Sequence, residues 1–229
     1  IKELGVKFEK NRAVGRDVTI DDLLNEGYNA VFIATGAAEP RNPRIKGMDL
    51  KGVHLGMELL KSVKRGKEIR LSGKVLVIGG GNVAMDAART ALRLGADEVA
   101  IMYRRSREEM PAEDEEIEEV TKEGVKITFL VQPVELIGQD GKLKKVKFIR
   151  MKLGEPGPDG RRRPIPIENS EFEVDADHII FAIGQRPSIT WISEKDGIEL
   201  NDDGTIKVND RLETTRRGVF AGGDVVRGP

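Results

Sequence analysis

The chain of 229 residues contains no cysteine. Disulfides, iron–sulfur ligation and a redox-active cysteine pair therefore lie outside the chemistry of its own side chains. Histidine is almost as scarce, with only His54 and His178, too few for a histidine-based metal centre or a nucleophilic triad. The formal net charge of −1 offers no field that would draw nucleic acid or an anionic membrane surface. No apolar run approaches the ~18 residues of a membrane-spanning helix, and no signal-peptide pattern opens the chain. The expectation is a cytoplasmic protein with no metal site and no nucleic-acid or membrane partner.

What the chain does have is one highly ordered stretch, Lys74 to Arg107. The apolar run Val75-Leu76-Val77-Ile78 has the length of a buried parallel strand. Gly79-Gly80-Gly81 then leads into a helical pattern from Asn82 to Leu94, with apolar residues at Val83, Ala84, Ala87, Ala88, Ala91 and Leu92. Gly95 ends it, and Val99-Ala100-Ile101-Met102 forms a second apolar run. Strand, glycine turn, helix and strand make half of a dinucleotide-binding fold. The spacing Gly79-x-Gly81-x-x-Ala84 sits where that fold needs it: Gly79 for the tight turn, Gly81 for backbone approach to a pyrophosphate, Ala84 for close helix–strand packing. The helix N-terminus adds free N–H groups and the positive end of its dipole.

The end of the second strand speaks to which nucleotide. An NAD site usually carries Asp or Glu there, to accept hydrogen bonds from the ribose 2′-hydroxyl. This chain has Tyr103-Arg104-Arg105-Ser106-Arg107, with no acid before Glu108. Guanidinium groups suit a 2′-phosphate, so NADPH is the expected ligand. A basic surface loop is the alternative.

Elsewhere the pattern is strand and helix in alternation. Val6 to Glu9 alternates as a strand, and Thr19 with Asp22 marks a helix start. Ala30 to Ala34 reads as a buried strand ending in Thr35-Gly36, a candidate cofactor or hinge position or a simple strand terminator. Glu39 to Gly52 reads as a linker, Met57 to Val63 as a helix, and Ala112 to Glu123 as an acidic helix with Ile117 and Val120 turned inward. Val125 to Val131, Leu143 to Leu153 and Phe172 to Val174 look like antiparallel strands of a small side sheet. The Arg161-Arg162-Arg163 run lies in the Pro- and Gly-rich loop between them, as a solvated tip or a site for an acidic partner. Asp177 to Gly184 is a further buried strand, and Gly218 to Asp224 closes the pattern.

Thr35-Gly36, GGGNVAMD at Gly79 to Asp86, Arg104-Arg105, AIGQRP at Ala182 to Pro187 and GVFAGGD at Gly218 to Asp224 occur in this order. Together they resemble the two-dinucleotide-domain flavoproteins of the glutathione/thioredoxin reductase superfamily. YRRSREEMPA at Tyr103 to Ala112 is similar to the glutamate synthase small (β) subunit and related NADPH:ferredoxin-type oxidoreductases.

The resemblance implies a Rossmann-like NADPH-binding domain with inserted antiparallel strands, residues 53–186. This domain would itself be inserted into a partial FAD-binding domain made of 1–52 and 187–229. It implies NADPH contacts at Gly79, Gly80, Gly81, Asn82, Val83, Asp86, Arg104, Arg105, Arg107 and Gly184. FAD contacts would come from Thr35, Gly36, Gly223 and Asp224. Asp224 would accept from the flavin ribityl chain, or else be a turn acid. Asp86 would lie near the nicotinamide amide, or else be an ordinary first-turn acid favoured by the helix dipole.

The implied activity is hydride transfer from NADPH to FAD, with electrons leaving for clusters or a partner such as a glutamate synthase large subunit or a ferredoxin. Ring stacking matters more for that step than an acid–base residue, so no catalytic side chain is named. A non-catalytic NADPH-binding module is the competing reading, and the lack of cysteine sets thioredoxin reductase itself aside. The glycine fingerprint and cysteine-rich region that precede this part in the family are absent. The expectation is therefore a fragment, inactive alone and retaining little FAD.

Overall fold

The computed structural model describes residues 2–157 and 159–228. In chain order the first elements are α1 (Ile20–Asn25), β1 (Val31–Ile33), β2 (Glu39–Pro40), β3 (Val53–Leu55), α2 (Gly56–Lys64) and β4 (Lys74–Ile78). Then come α3 (Asn82–Arg93), β5 (Glu98–Tyr103), α4 (Asp114–Lys122), β6 (Lys126–Phe129) and β7 (Val131–Gln139). The chain continues through β8 (Lys142–Pro156), β9 (Arg162–Pro166), β10 (Phe172–Asp175) and β11 (His178–Phe181). It closes with β12 (Gln185–Arg186), β13 (Val219–Ala221) and α5 (Asp224–Arg227). Two compact units result, one of residues 1–39 with 185–229 and the other of 40–184.

The larger unit is built on a five-stranded parallel sheet in the order β3-β11-β4-β5-β6. Its centre is β4, whose Val75, Leu76 and Val77 are wholly buried. An unbroken apolar run is what a strand covered on both faces requires. Val75 and Val77 face Leu59 of α2, the alanine face of α3 and Ile117 and Val120 of α4. Leu76 and Ile78 face the other way, against Leu136, Leu143, Val146 and Phe148 of the antiparallel strands.

That second layer corrects the sequence reading in three respects. Residues 125–131 do not form one antiparallel strand. Leu130 takes a left-handed φ of 58°, which breaks the run into β6, the fifth parallel strand, and β7, the first antiparallel one. The antiparallel strands, ordered β10-β8-β7 with β9 paired to β8, are also more than a side sheet. They cover the second face of the parallel sheet over β3, β11, β4 and β5. Residues 40–52, read as a linker, are part of the same layer: Ile45, Met48 and Leu50 pack on it and Lys46 pairs with Glu135 at 2.7 Å.

In the smaller unit β1 and β13 pair in parallel over a core of Ile20, Ile33, Ile189, Ile198, Ile206, Val219, Ala221 and Val225. Thr19 caps α1 in a reciprocal box with Asp22, as its sequence spacing predicts. Val6 to Glu9 forms no strand. Alternation alone does not make one: these residues bridge to no other strand among those described, and Val6 and Phe8 stay exposed.

Candidate functional site

Three neighbouring parallel strands, β11, β4 and β5, end at the same edge of the larger unit's sheet. Gly79 to Val83 therefore follows β4, Arg104 to Arg107 follows β5, and Ala182 to Gly184 follows β11, all at the carboxyl edge. Ligands of open α/β sheets sit beyond that edge.

The three glycines at the head of α3 do different work. Gly79 has φ 149°, and a Cβ there would run into the Ala182 carbonyl oxygen. A Cβ on Gly80 would come within 2.5 Å of the Tyr103 ring. A Cβ on Gly81 would meet only Pro111, at an ordinary 3.7 Å. Gly79 and Gly80 are thus glycine for packing, whereas the space beside Gly81 is open. Gly81 is also the N-cap of α3 and supplies no side chain to its first N–H groups. Ala84 and Met85 donate to the Gly81 carbonyl, which leaves the amides of Asn82 and Val83 as the helix's orphan donors.

The Asn82 side chain is turned elsewhere, its Oδ1 accepting from the Glu113 N–H at 3.0 Å. It thereby anchors the start of α4, and only its backbone belongs to the turn. Asp86 is the fifth residue of α3, so it lies beyond the first turn, which contains no acid. The dipole-favoured first-turn acid is therefore not what Asp86 is. It is exposed, and its carboxylate has no partner among the described residues. Gly184, at φ 100°, accepts from the Arg41 N–H at 3.0 Å.

The arginines divide in the same way. Arg105 is buried and its Nε donates to the Arg162 carbonyl at 2.7 Å. Arg107 is paired with Asp114. Arg104 is exposed and has no ion pair among the described residues. Its charged form is disfavoured by partial desolvation first and by Arg105 next. An unpaired guanidinium held beside other cations is well placed to gain from an anion.

The loop after Arg105 is rigidly tied. Ser106 and Glu109 form a capping box, with Ser106 Oγ donating to the carboxylate at 2.5 Å. The Tyr103 hydroxyl donates to the Glu109 carbonyl at 2.7 Å, and the Ala112 N–H donates to the Gly80 carbonyl at 3.1 Å. Burial opposes the Glu109 charge, but Ser106 and Arg162 hold its carboxyl below the ordinary glutamate value. Tyr103, Pro111 and Ala112 thus shape the glycine turn. Sequence reasoning passed over them as site residues, although all three lie inside the YRRSREEMPA stretch.

In the smaller unit, Gly222 N–H donates to the Ile33 carbonyl at 3.1 Å. Thr35-Gly36 and Gly223-Asp224 therefore leave the carboxyl ends of two paired strands together. A Cβ on Gly36 or Gly223 would meet nothing within 4 Å. Asp224 is exposed, its carboxylate without a partner among the described residues.

The sequence profile described as "Pyridine nucleotide-disulphide oxidoreductase" matches residues 2–229. The chain belongs to that family. Among curated relatives, the NADP(+)-dependent formate dehydrogenase subunit beta of Moorella thermoacetica is 45% identical over 232 residues. That alignment covers all of this chain and 32% of the relative. The glutamate synthase [NADPH] small chain of Escherichia coli (strain K12) is 38% identical over 242 residues, covering 98% of this chain and 51% of the relative. The chain thus spans about a third to a half of these relatives. The fold is that of Mycobacterium tuberculosis FprA in complex with NADPH, at a TM-score of 0.78 and 22% identity. There 95% of this chain aligns with 62% of the other. These 229 residues contain no cysteine, so none of their side chains can form a disulphide. No described helix is long and apolar enough to cross a membrane.

Proposed function

We propose that the chain is the nucleotide-binding part of an NADPH-dependent flavoprotein oxidoreductase. Residues 53–186 would bind NADPH together with 40–52, which pack on the same unit, and 1–39 with 187–229 would contribute to the FAD domain. The observation that carries the reading is the open side of Gly81 at an uncapped helix N-terminus, with the unpaired Arg104 one strand away. The amides of Asn82 and Val83 would hold the pyrophosphate, and Arg104 would take the 2′-phosphate. Arg105 and Arg107 would support the loop, and Gly184 would border the site. Asp86, exposed and unpaired, would meet the amide of the nicotinamide.

For FAD the fit is partial. Thr35, Gly36, Gly223 and Asp224 offer hydrogen-bonding groups and open backbone to the ribityl and flavin end, and Asp224 supplies a strong acceptor for hydroxyls. Bound nicotinamide and flavin rings would supply the redox chemistry; the chain's residues bind and orient them.

Electrons would pass on to a partner subunit, since the relatives above are named as a subunit and a small chain. Input to a glutamate synthase large subunit is the first reading, and input to a ferredoxin-type or formate dehydrogenase partner the second. The second is favoured by the 45% identity to the formate dehydrogenase subunit.

Calorimetric titration with NADPH and NADH tests the nucleotide assignment. A charged hydrogen bond contributes roughly 1.5–3 kcal/mol, so Arg104→Ala should weaken NADPH tenfold or more and NADH little. Equal weakening of both would sink it.

A further inference from the structure

The antiparallel layer does more than cover a sheet face, because its β8–β9 hairpin reaches back to the loop that carries Arg104. Arg105 Nε donates to the Arg162 backbone carbonyl at 2.7 Å. The Arg162 guanidinium in turn pairs with Glu108, at 2.6 Å from Nη2, and with the buried Glu109. Glu109 is itself fixed by Ser106 and, through its carbonyl, by Tyr103. From the other side, the Leu130 N–H donates to the Arg105 carbonyl at 3.2 Å. Arg105 is thus held by both the hairpin and the strand junction that leads into it, and Glu108 and Glu109 are held by the hairpin.

The hairpin also shapes the local field. Arg161, bound to Asp159 at 2.8 Å, stands close enough to act on Arg104, unfavourably, while Asp159 acts favourably. Two consecutive arginines at a strand end repel each other. Glu108, Glu109 and the hairpin carbonyl offset that repulsion.

We propose that Arg162 is a positioning residue for nucleotide selectivity: it clamps the Arg104–Glu109 loop so that Arg104 is presented to the 2′-phosphate. This rests on the NADPH reading above and extends it, making the inserted hairpin part of the specificity device. A displacement of about 1 Å in a positioning group can cost up to 10²-fold, so a loop clamp can matter without touching the ligand.

The test measures Kd for NADPH and NADH on the full chain for wild type, Arg104→Ala, Arg162→Ala, Arg162→Lys and Glu109→Gln. Arg162→Ala should raise the NADPH Kd about tenfold and leave the NADH Kd within about twofold. Arg162→Lys should recover part of the loss. Glu109→Gln keeps the shape of the loop and removes only the ion pair, so it should reproduce the same selective loss even if Arg162→Ala folds poorly. Unchanged NADPH binding in Arg162→Ala and Glu109→Gln, or equal weakening of both nucleotides, overturns the clamp while Arg104→Ala still reports the nucleotide site. A wild type without preference for NADPH, unaffected by Arg104→Ala, overturns the underlying reading and the clamp with it.

Discussion

Gly79 turns at φ 149° beneath the Ala182 carbonyl, and Gly80 leaves room for the Tyr103 ring. A side chain at either therefore collides with the protein itself. A Cβ on Gly81 would meet only Pro111, at an ordinary 3.7 Å. Gly81→Val should accordingly keep the native circular dichroism and melting curve while losing NADPH, and Gly80→Val should unfold earlier. A Gly81→Val protein that binds normally would place the phosphates elsewhere. The glycine spacing was legible in the sequence because it obeys a periodic backbone rule. The division of labour was not, since it depends on Tyr103 and Pro111 of one later stretch and Ala182 of another. The arginines repeat the point: the RR pair at 104 and 105 reads as two equal cations until Arg162, nearly 60 residues on, claims one of them.

His54 and His178 pose the other residue-scale question. His54 Nε2 lies 3.2 Å from His178 Nδ1, so both rings can share a hydrogen bond only while one stays neutral. Burial first and His178 next lower His54 to about 4 from 6.5. Burial also lowers His178, against the pull of Asp177. In the unfolded chain these rings take up protons near pH 6.5, but the folded pair resists until lower pH. Stability is therefore unaffected above that pH, falls as pH drops below about 6.5, and reaches its full loss once pH is below about 4. For a half-buried ring the loss is roughly 1–2 kcal/mol after solvent screening. Urea unfolding at pH 7 and pH 4.5 should show a larger drop for wild type than for His54→Gln. An equal drop would show that the pair does not titrate as described.

Among the elements, β4 carries the larger unit. Its run of Val75, Leu76, Val77 and Ile78 identified it as a doubly covered strand, yet what covers the second face was not readable. Alternation in 143–153 shows that one side is apolar, but not what it packs against. The left-handed Leu130, a residue rarely chosen for that conformation, splits 125–131 between two sheets with no local mark in the sequence. Leu76 is wholly buried and joins β4 to the antiparallel layer. Leu76→Ala should cost roughly 2–5 kcal/mol, read as a lowered urea midpoint. A loss under about 1 kcal/mol, the scale of a volume-conserving swap, would mean the two layers are not packed as described.

At the scale of the whole molecule, the two units carry unequal equipment. The larger has a fingerprint, a complete sheet and two cores on either side of it. The smaller has a two-stranded parallel sheet, a single core cluster and Phe32 exposed at 57%. The chain contains one glycine fingerprint, at 79–84, so a second pyrophosphate has no comparable turn to bind it. The purified chain should therefore show no stoichiometric flavin absorbance despite Thr35, Gly36, Gly223 and Asp224. A full flavin band would mean those residues suffice. NADPH binding, by contrast, should survive in the isolated chain, and the site can be located directly by amide resonance mapping of the labelled protein. Titrated NADPH should shift Gly81, Asn82, Val83 and Arg104 most strongly, with NADH reproducing the glycine-turn shifts and sparing Arg104. Shifts centred away from 79–83, or identical at Arg104 for the two nucleotides, would contradict the account.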